Sequence, residues 1–238
     1  GDVKIIVEPT RSVPNFSTVI CDNGTFSYSP VDASPAVVVP VGTTYTWATP
    51  VISPNAGSLI GAIAGTDQPV ISQTLTNTTS VTQTATYTVF TKAGSCTGSS
   101  FQVIVQVEPT PQAAFVNSSA TICDGGTPNI SITSPSIPSV PTNLTFDVTV
   151  ALPAGVTGTL VAANGVTGAS APFFINTGVL NNVSNSSQTV QYAITPKLDG
   201  CTSGPTQIVN VVVEPIPQVA FVNSSATICD GGTPNISI

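Results

Sequence analysis

The eighteen residues FVNSSATICDGGTPNISI stand at Phe115–Ile132 and again, unchanged, at Phe221–Ile238. Identical sequence at a fixed offset of 106 residues commits the chain to like units in series, because whatever local structure is specified once is specified again. The same offset carries Glu108-Pro109 onto Glu214-Pro215, and Glu8-Pro9 marks an earlier boundary of the same kind. Each Glu-Pro closes a strand-like run: VKIIVEP, SFQVIVQVEP and QIVNVVVEP. Proline lacks the N–H that a sheet ladder needs, so a strand ends there and a linker begins. The expected division is residues 1–8 as the last strand of a preceding module, 9–108 and 109–214 as two whole modules, and 215–238 as the first strands of a following one. The chain is then expected to continue beyond Ile238.

The two complete units agree in physical pattern. YTVFTKAGSC (Tyr87 to Cys96) matches YAITPKLDGC (Tyr192 to Cys201), and TTYTWAT matches TNLTFDV, which sets Tyr45 and Trp47 opposite Leu144 and Phe146. Apolar residues alternate with polar ones and are bounded by Gly, Pro, Asn and Asp clusters, the signature of half-buried strands. In the second unit QAAFV, ATIC, NISIT, LTFDVTV, GTLVAA, APFFIN, TVQYAI and QIVNVVV read as strands. Seven or eight short strands in about 106 residues predict an all-β immunoglobulin-like sandwich, repeated end to end. The immunoglobulin disulfide signature is missing, because the cysteines border turns and Trp47 becomes Phe146 in the next unit. Both aromatics are expected in the core.

Composition excludes several functions. Only 6% of the residues are charged, the net charge is −7, and the four basic residues Lys4, Arg11, Lys92 and Lys197 are scattered, so no nucleic-acid footprint exists. No run of about 20 apolar residues is present to insert into a bilayer. At 41% apolar the chain has a core to bury rather than the composition of disorder. There is no His, which removes imidazole-based triads, and Cys96 and Cys201 have no evident activating base, so no enzyme and no cofactor is expected.

Cys21 and Cys96 fall in the first unit, Cys123 and Cys201 in the second, and Cys229 repeats Cys123. One pair per unit predicts disulfides Cys21–Cys96 and Cys123–Cys201, with Cys229 joined to a downstream cysteine, and an oxidising compartment. The rival is a bond between units, such as Cys96–Cys123. Asp22, Asp124 and Asp230 precede Asn-Gly or Gly-Gly, where Asp bonds nearby backbone N–H groups; a weak calcium site is the alternative reading. Lys92 and Lys197 recur four positions before a cysteine and read as solvated lysines near the turn, a lysine–asparagine crosslink being the sharper alternative. Asn15, Asn23, Asn77, Asn117, Asn129, Asn143, Asn182, Asn185, Asn223 and Asn235 all begin Asn-x-Ser/Thr, in a composition that produces such triplets by chance.

The TICDGG segment, the Tyr-x8-Cys run ending in DGCTSG and the closing VxVVVEP strand resemble the PKD-like and immunoglobulin-like repeats of very long secreted surface proteins of Bacteroidota, among them gliding-motility adhesins of the SprB kind. WDFGDG, the motif of the classical PKD class, is missing, which points to the divergent PKD-like class. The resemblance implies type IX secretion, display on the bacterial cell surface and a structural role: a stalk or filament that spaces a distal binding region from the cell. Its partners would be neighbouring modules, with surface polysaccharide or other cell-surface proteins as further candidates. The alternative is that each module is itself a carbohydrate- or protein-binding unit. The middles of the two units, Val31 to Gln73 and Ser134 to Asn176, diverge, whereas a shared binding site would recur; this favours the stalk.

Overall fold

The computed structural model describes residues 13–33, 36–94, 96–136, 144–158, 164–166, 173–175, 178–198, 200–220 and 227–233. These form strands and turns and no helix. In chain order the strands are β1 (Phe16–Ile20), β2 (Gly24–Tyr28), β3 (Thr44–Trp47), β4 (Val51–Ser53), β5 (Leu59–Ile60), β6 (Gly65–Gln68), β7 (Ile71–Asn77), β8 (Gln83–Ala93), β9 (Cys96–Val107) and β10 (Ala114–Asn117). They continue with β11 (Thr121–Cys123), β12 (Ile130–Thr133), β13 (Leu144–Ala151), β14 (Val156–Gly158), β15 (Asn164–Val166), β16 (Phe173–Ile175), β17 (Leu180–Asn182), β18 (Gln188–Leu198) and β19 (Gln207–Glu214).

The period-two pattern is what folds them. Along β8, Gln83, Ala85, Tyr87, Val89 and Thr91 turn inward while the residues between them face out, and β9 does the same with Phe101, Val103, Val105 and Val107. Each such strand contributes one apolar face, which only a second sheet can cover. In the first sandwich the larger sheet runs β1-β9-β8-β3-β6, with β4 beside β8, and the facing sheet is β2-β7-β5. In the second, β11-β19-β18-β13-β15 faces β10-β12-β16 and the small β14-β17 ladder. Two separate cores result, one around Tyr87, Trp47, Ile71 and Leu75, the other around Tyr192, Phe146, Ile132 and Leu180. The fold is all-β and immunoglobulin-like, as the strand count predicts.

Trp47 and Phe146 lie in these cores, and their surroundings show why one can replace the other. Trp47 lies in register with Gly65 on β6, and a Cβ built on that glycine would fall 2.4–2.7 Å from the indole ring. Phe146 is likewise in register with Gly165. The large ring on β3 is accommodated by the absence of a side chain opposite.

The first strand of each sandwich runs parallel to the last. Ile20 of β1 is level with Val107 of β9, and Cys123 of β11 is level with Glu214 of β19. In the second sandwich this leading segment is divided: β10 joins β12 in one sheet and β11 joins β19 in the other. Residues 1–8, expected as a strand, lie outside the described residues, and 215–220 and 227–233 form no strand.

Candidate functional site

The parallel pairing of β1 with β9 decides where the cysteines can meet. Cys21 follows Ile20, and Glu108 N donates to the Ile20 carbonyl at 2.9 Å, so Cys21 sits at the pole where β9 finishes. Cys96 opens β9, which is 12 residues long. At about 3.3 Å per residue the two cysteines lie on the order of 35 Å apart, far beyond the roughly 4.4–6.8 Å between Cα atoms that a disulfide spans. The expected Cys21–Cys96 bond is therefore not formed. Cys123–Cys201 fails for the same reason: Cys123 is level with the end of β19, while Cys201 lies in the β18–β19 hairpin at the strand's other end.

Cys21 is instead bonded to Cys201, with Cα atoms 5.5 Å apart and a sequence separation of 180. The disulfide thus joins the far pole of the first sandwich to the hairpin of the second. The rival between units, Cys96–Cys123, is not formed either: Cys96, Cys123 and Cys229 are free, exposed thiols.

Around this bond the linker is held from both sides. Asp22 accepts a hydrogen bond from Asn77 N at 2.7 Å on one carboxylate oxygen and from Thr110 Oγ1 at 2.5 Å on the other, so one side chain ties β7 to the linker. Beyond it, Ser136 Oγ accepts from Gln112 N at 3.0 Å and donates to the Thr110 carbonyl, and Ser134 Oγ donates to the Gln112 carbonyl at 2.6 Å. Gly204, in the hairpin after Cys201, packs so closely on Pro111 that a Cβ would stand 1.7 Å from the Pro111 oxygen. Pro109 and Pro111 restrict the linker's own torsions. The cleft remaining between Cys21, Asp22, Pro109, Thr110, Cys201 and Ser203 is about 170 Å³, below the roughly 300–1,000 Å³ of small-molecule sites. Chemically the junction is a clamp.

Asp22 and Asp124 do not act as the turn pattern suggests. They reach over to Asn77 N and Asn182 N, 2.7 and 2.6 Å away, and Asp22 accepts in addition from the Asn23 side-chain amide of its own turn at 3.3 Å. Those asparagines are the residues the sequence reading missed. Asn77 is buried and donates to the Val81 and Val107 carbonyls at 2.8 and 2.9 Å; Asn182 repeats this toward Ser186 and Val213. The oxygen of each accepts from Thr79 or Ser184 two residues on. Asn77-Thr78-Thr79 and Asn182-Val183-Ser184 thus need their Asn-x-Ser/Thr pattern for internal bonding. Their recurrence at matching positions of both units was the available signal.

Asp230 belongs to a third copy of the turn, in which Gly232 N donates to the Cys229 carbonyl at 2.9 Å, as Gly24 does to Cys21 and Gly126 to Cys123. Among the described residues no three His, Cys, Asp or Glu side chains converge into a metal site. Lys92 lies 3.8 Å from Asp67, and Lys197 meets Asp147, both pairs partly exposed. The lysines face aspartates on sheet strands rather than in the turn.

The pole of the second sandwich is built like that of the first but is more open. Asp124, Thr157, Asn182, Ser184, Ile216 and Gln218 border a cleft of about 550 Å³, and Ile216, which follows Glu214-Pro215 as Thr110 follows Glu108-Pro109, is exposed.

Residues 18–111 match the PKD-like domain family. The PKD-like stretch runs from β1 through the linker and so includes Cys21, Asp22 and Thr110. Among solved structures the chain is similar to the human desmocollin-1 ectodomain (11% identity, TM-score 0.44, 87% of this chain and 41% of that one). It is similar also to the protocadherin gamma B4 extracellular domain (12% identity, TM-score 0.45, 91% and 34%). The N-terminal eight immunoglobulin domains of a Down syndrome cell adhesion molecule isoform give 12% identity and a TM-score of 0.39, with 84% and 27% covered. The chain spans less than half the length of each. No curated protein matches the sequence.

Proposed function

We propose that residues 9–108 and 109–214 are consecutive modules of a stalk or filament, part of a long secreted cell-surface adhesin, which holds a distal binding region away from the cell. Residues 1–8 and 215–238 belong, on this reading, to the modules before and after. The observation that carries the proposal is the clamped junction: a disulfide, a carboxylate–hydroxyl bond and a glycine–proline contact all serve to hold one sandwich on the next. A protein that works by presenting a ligand site has no evident use for a reinforced joint, whereas a spacer does. A disulfide persists in oxidising surroundings, so a secreted, extracellular location fits. The bacterial surface and export through the type IX system follow from the family resemblance of the motifs.

Electron microscopy of the complete protein tests the proposal. A stalk shows an axial repeat on the order of 40 Å, since strands of about ten residues at about 3.3 Å, with turns and a linker added, set the module length. Compact particles without periodicity, or specific glycan binding by an isolated pair of modules, overturn it.

A further inference from the structure

Three thiols are free in the structure, and their places in the repeat are not arbitrary. Cys123 stands where Cys21 stands: each lies at the end of the strand that pairs in parallel with the last strand, Cys21 just past β1 and Cys123 as the final residue of β11, each carbonyl accepts from the glycine three residues on at 2.9 Å, and each is followed by an aspartate that holds the N–H of a buried asparagine. Cys96 stands where Cys201 stands, in the hairpin that joins β8 to β9 as Cys201 is in the one that joins β18 to β19, nine residues after a buried tyrosine. The bonded pair is therefore one pole cysteine and one hairpin cysteine from the unit that follows. Cys123 and Cys229 are pole cysteines, and Cys96 is a hairpin cysteine, each of whose counterparts would lie in another unit.

We infer that the disulfides of this protein form a ladder between modules, in which the pole cysteine of every module is bonded to the hairpin cysteine of the next. Cys123 then takes the hairpin cysteine of the unit that follows residue 214, Cys229 takes that of the unit after, and Cys96 takes the pole cysteine of the unit before residue 9. The occupant of the open cleft beside Asp124 is the β18–β19-like hairpin of the following module, because the equivalent cleft beside Asp22 is narrowed by the hairpin that carries Cys201 to Ser203. Each bond converts two thiols into one disulfide. The two electrons and two protons leave on the disulfide form of a dithiol oxidase, which is released as its dithiol after exchange through a mixed disulfide.

The inference rests on the stalk reading for the presence of flanking modules, and the two are separable by experiment. The complete protein is isolated from its own cells with thiols alkylated at lysis, digested without reduction, and its linked peptides are mapped. The expected result is a Cys21–Cys201 peptide, with Cys96 and Cys123 each recovered in a peptide linked to another module and unalkylated until reduced. Recovery of Cys96 and Cys123 as alkylated thiols, or of Cys21–Cys96 and Cys123–Cys201 peptides, overturns the ladder even if microscopy shows a periodic stalk. Linked peptides from a protein that microscopy shows to be compact overturn the stalk and leave the ladder standing. A Cys123→Ser variant of the complete protein adds a second readout: the ladder requires one hairpin cysteine in the following module to become alkylatable, and no change in alkylation overturns it.

Discussion

Asn77 shows how much a single buried side chain can organise. Its amide gathers the Val81 and Val107 carbonyls, its oxygen accepts from Thr79, and its own N–H is held by Asp22, so the turn after Cys21, the end of β7 and the last residue of β9 meet in one network. Replacing it with alanine strands buried carbonyls, a loss of about 3 kcal/mol. Because the chain has one tryptophan, Trp47, its fluorescence reports the first sandwich alone. Asn77→Ala should lower the urea midpoint of that signal, while Asn182→Ala, in the other core, should leave it unchanged; equal effects from both would mean that the cores do not unfold separately. Reading Asn77 as one of many Asn-x-Ser/Thr triplets hid this role, since the triplet looks the same whether it serves a glycan or a turn.

At the level of elements, the pairing of β3 with β6 depends on Gly65. A valine there must displace the indole of Trp47, and overpacking of this kind costs about 1–3 kcal/mol. The check is the thermal midpoint of Gly65→Val, with partial restoration expected in a Gly65→Val, Trp47→Phe double variant, since the atoms that a Cβ at Gly65 meets belong to the six-membered ring of the indole, which phenylalanine does not extend to the same place. Strand β8 adds a pH dependence. Burial pushes the Tyr87 hydroxyl well above its ordinary value of 10.0, and it donates to Gln73 at 2.8 Å. Tyr45 is raised by burial and then by its neighbour Tyr28. With folded values above the unfolded 10.0, the folded chain keeps its protons longer, so this contribution is complete below pH 10.0 and is lost as pH rises through the folded values. The midpoint of the Trp47 signal should fall above about pH 10, less steeply in Tyr87→Phe; a flat profile to pH 11 contradicts it.

For the whole molecule, what matters is that the disulfide crosses between two cores rather than stapling one. In the chain-entropy picture, a loop of 180 residues closed in a single cooperative unit contributes about 5 kcal/mol. Here the loop is already shortened by two cores that pack separately, so the bond restrains the joint. Cys21→Ser should therefore shift each core's stability by no more than about 0.5 kcal/mol, while small-angle scattering shows a wider spread of angles between the sandwiches. A loss near 5 kcal/mol would instead mean that both cores unfold as one.

By itself the sequence determined the all-β class, the longer strands and their inward faces, because alternation acts locally and is visible in a few residues. The short strands β15 and β17 escaped notice, since three residues carry too little alternation. The partners of the cysteines were decided only by tertiary structure. Spacing shows that two cysteines recur in each unit, but whether they lie at one pole or at opposite poles depends on the direction in which β1 runs beside β9. An antiparallel pairing would have brought Cys21 toward Cys96. The parallel one separates them by the length of the sheet and delivers Cys21 to the neighbouring hairpin, a choice made by long-range strand pairing that local pattern does not encode.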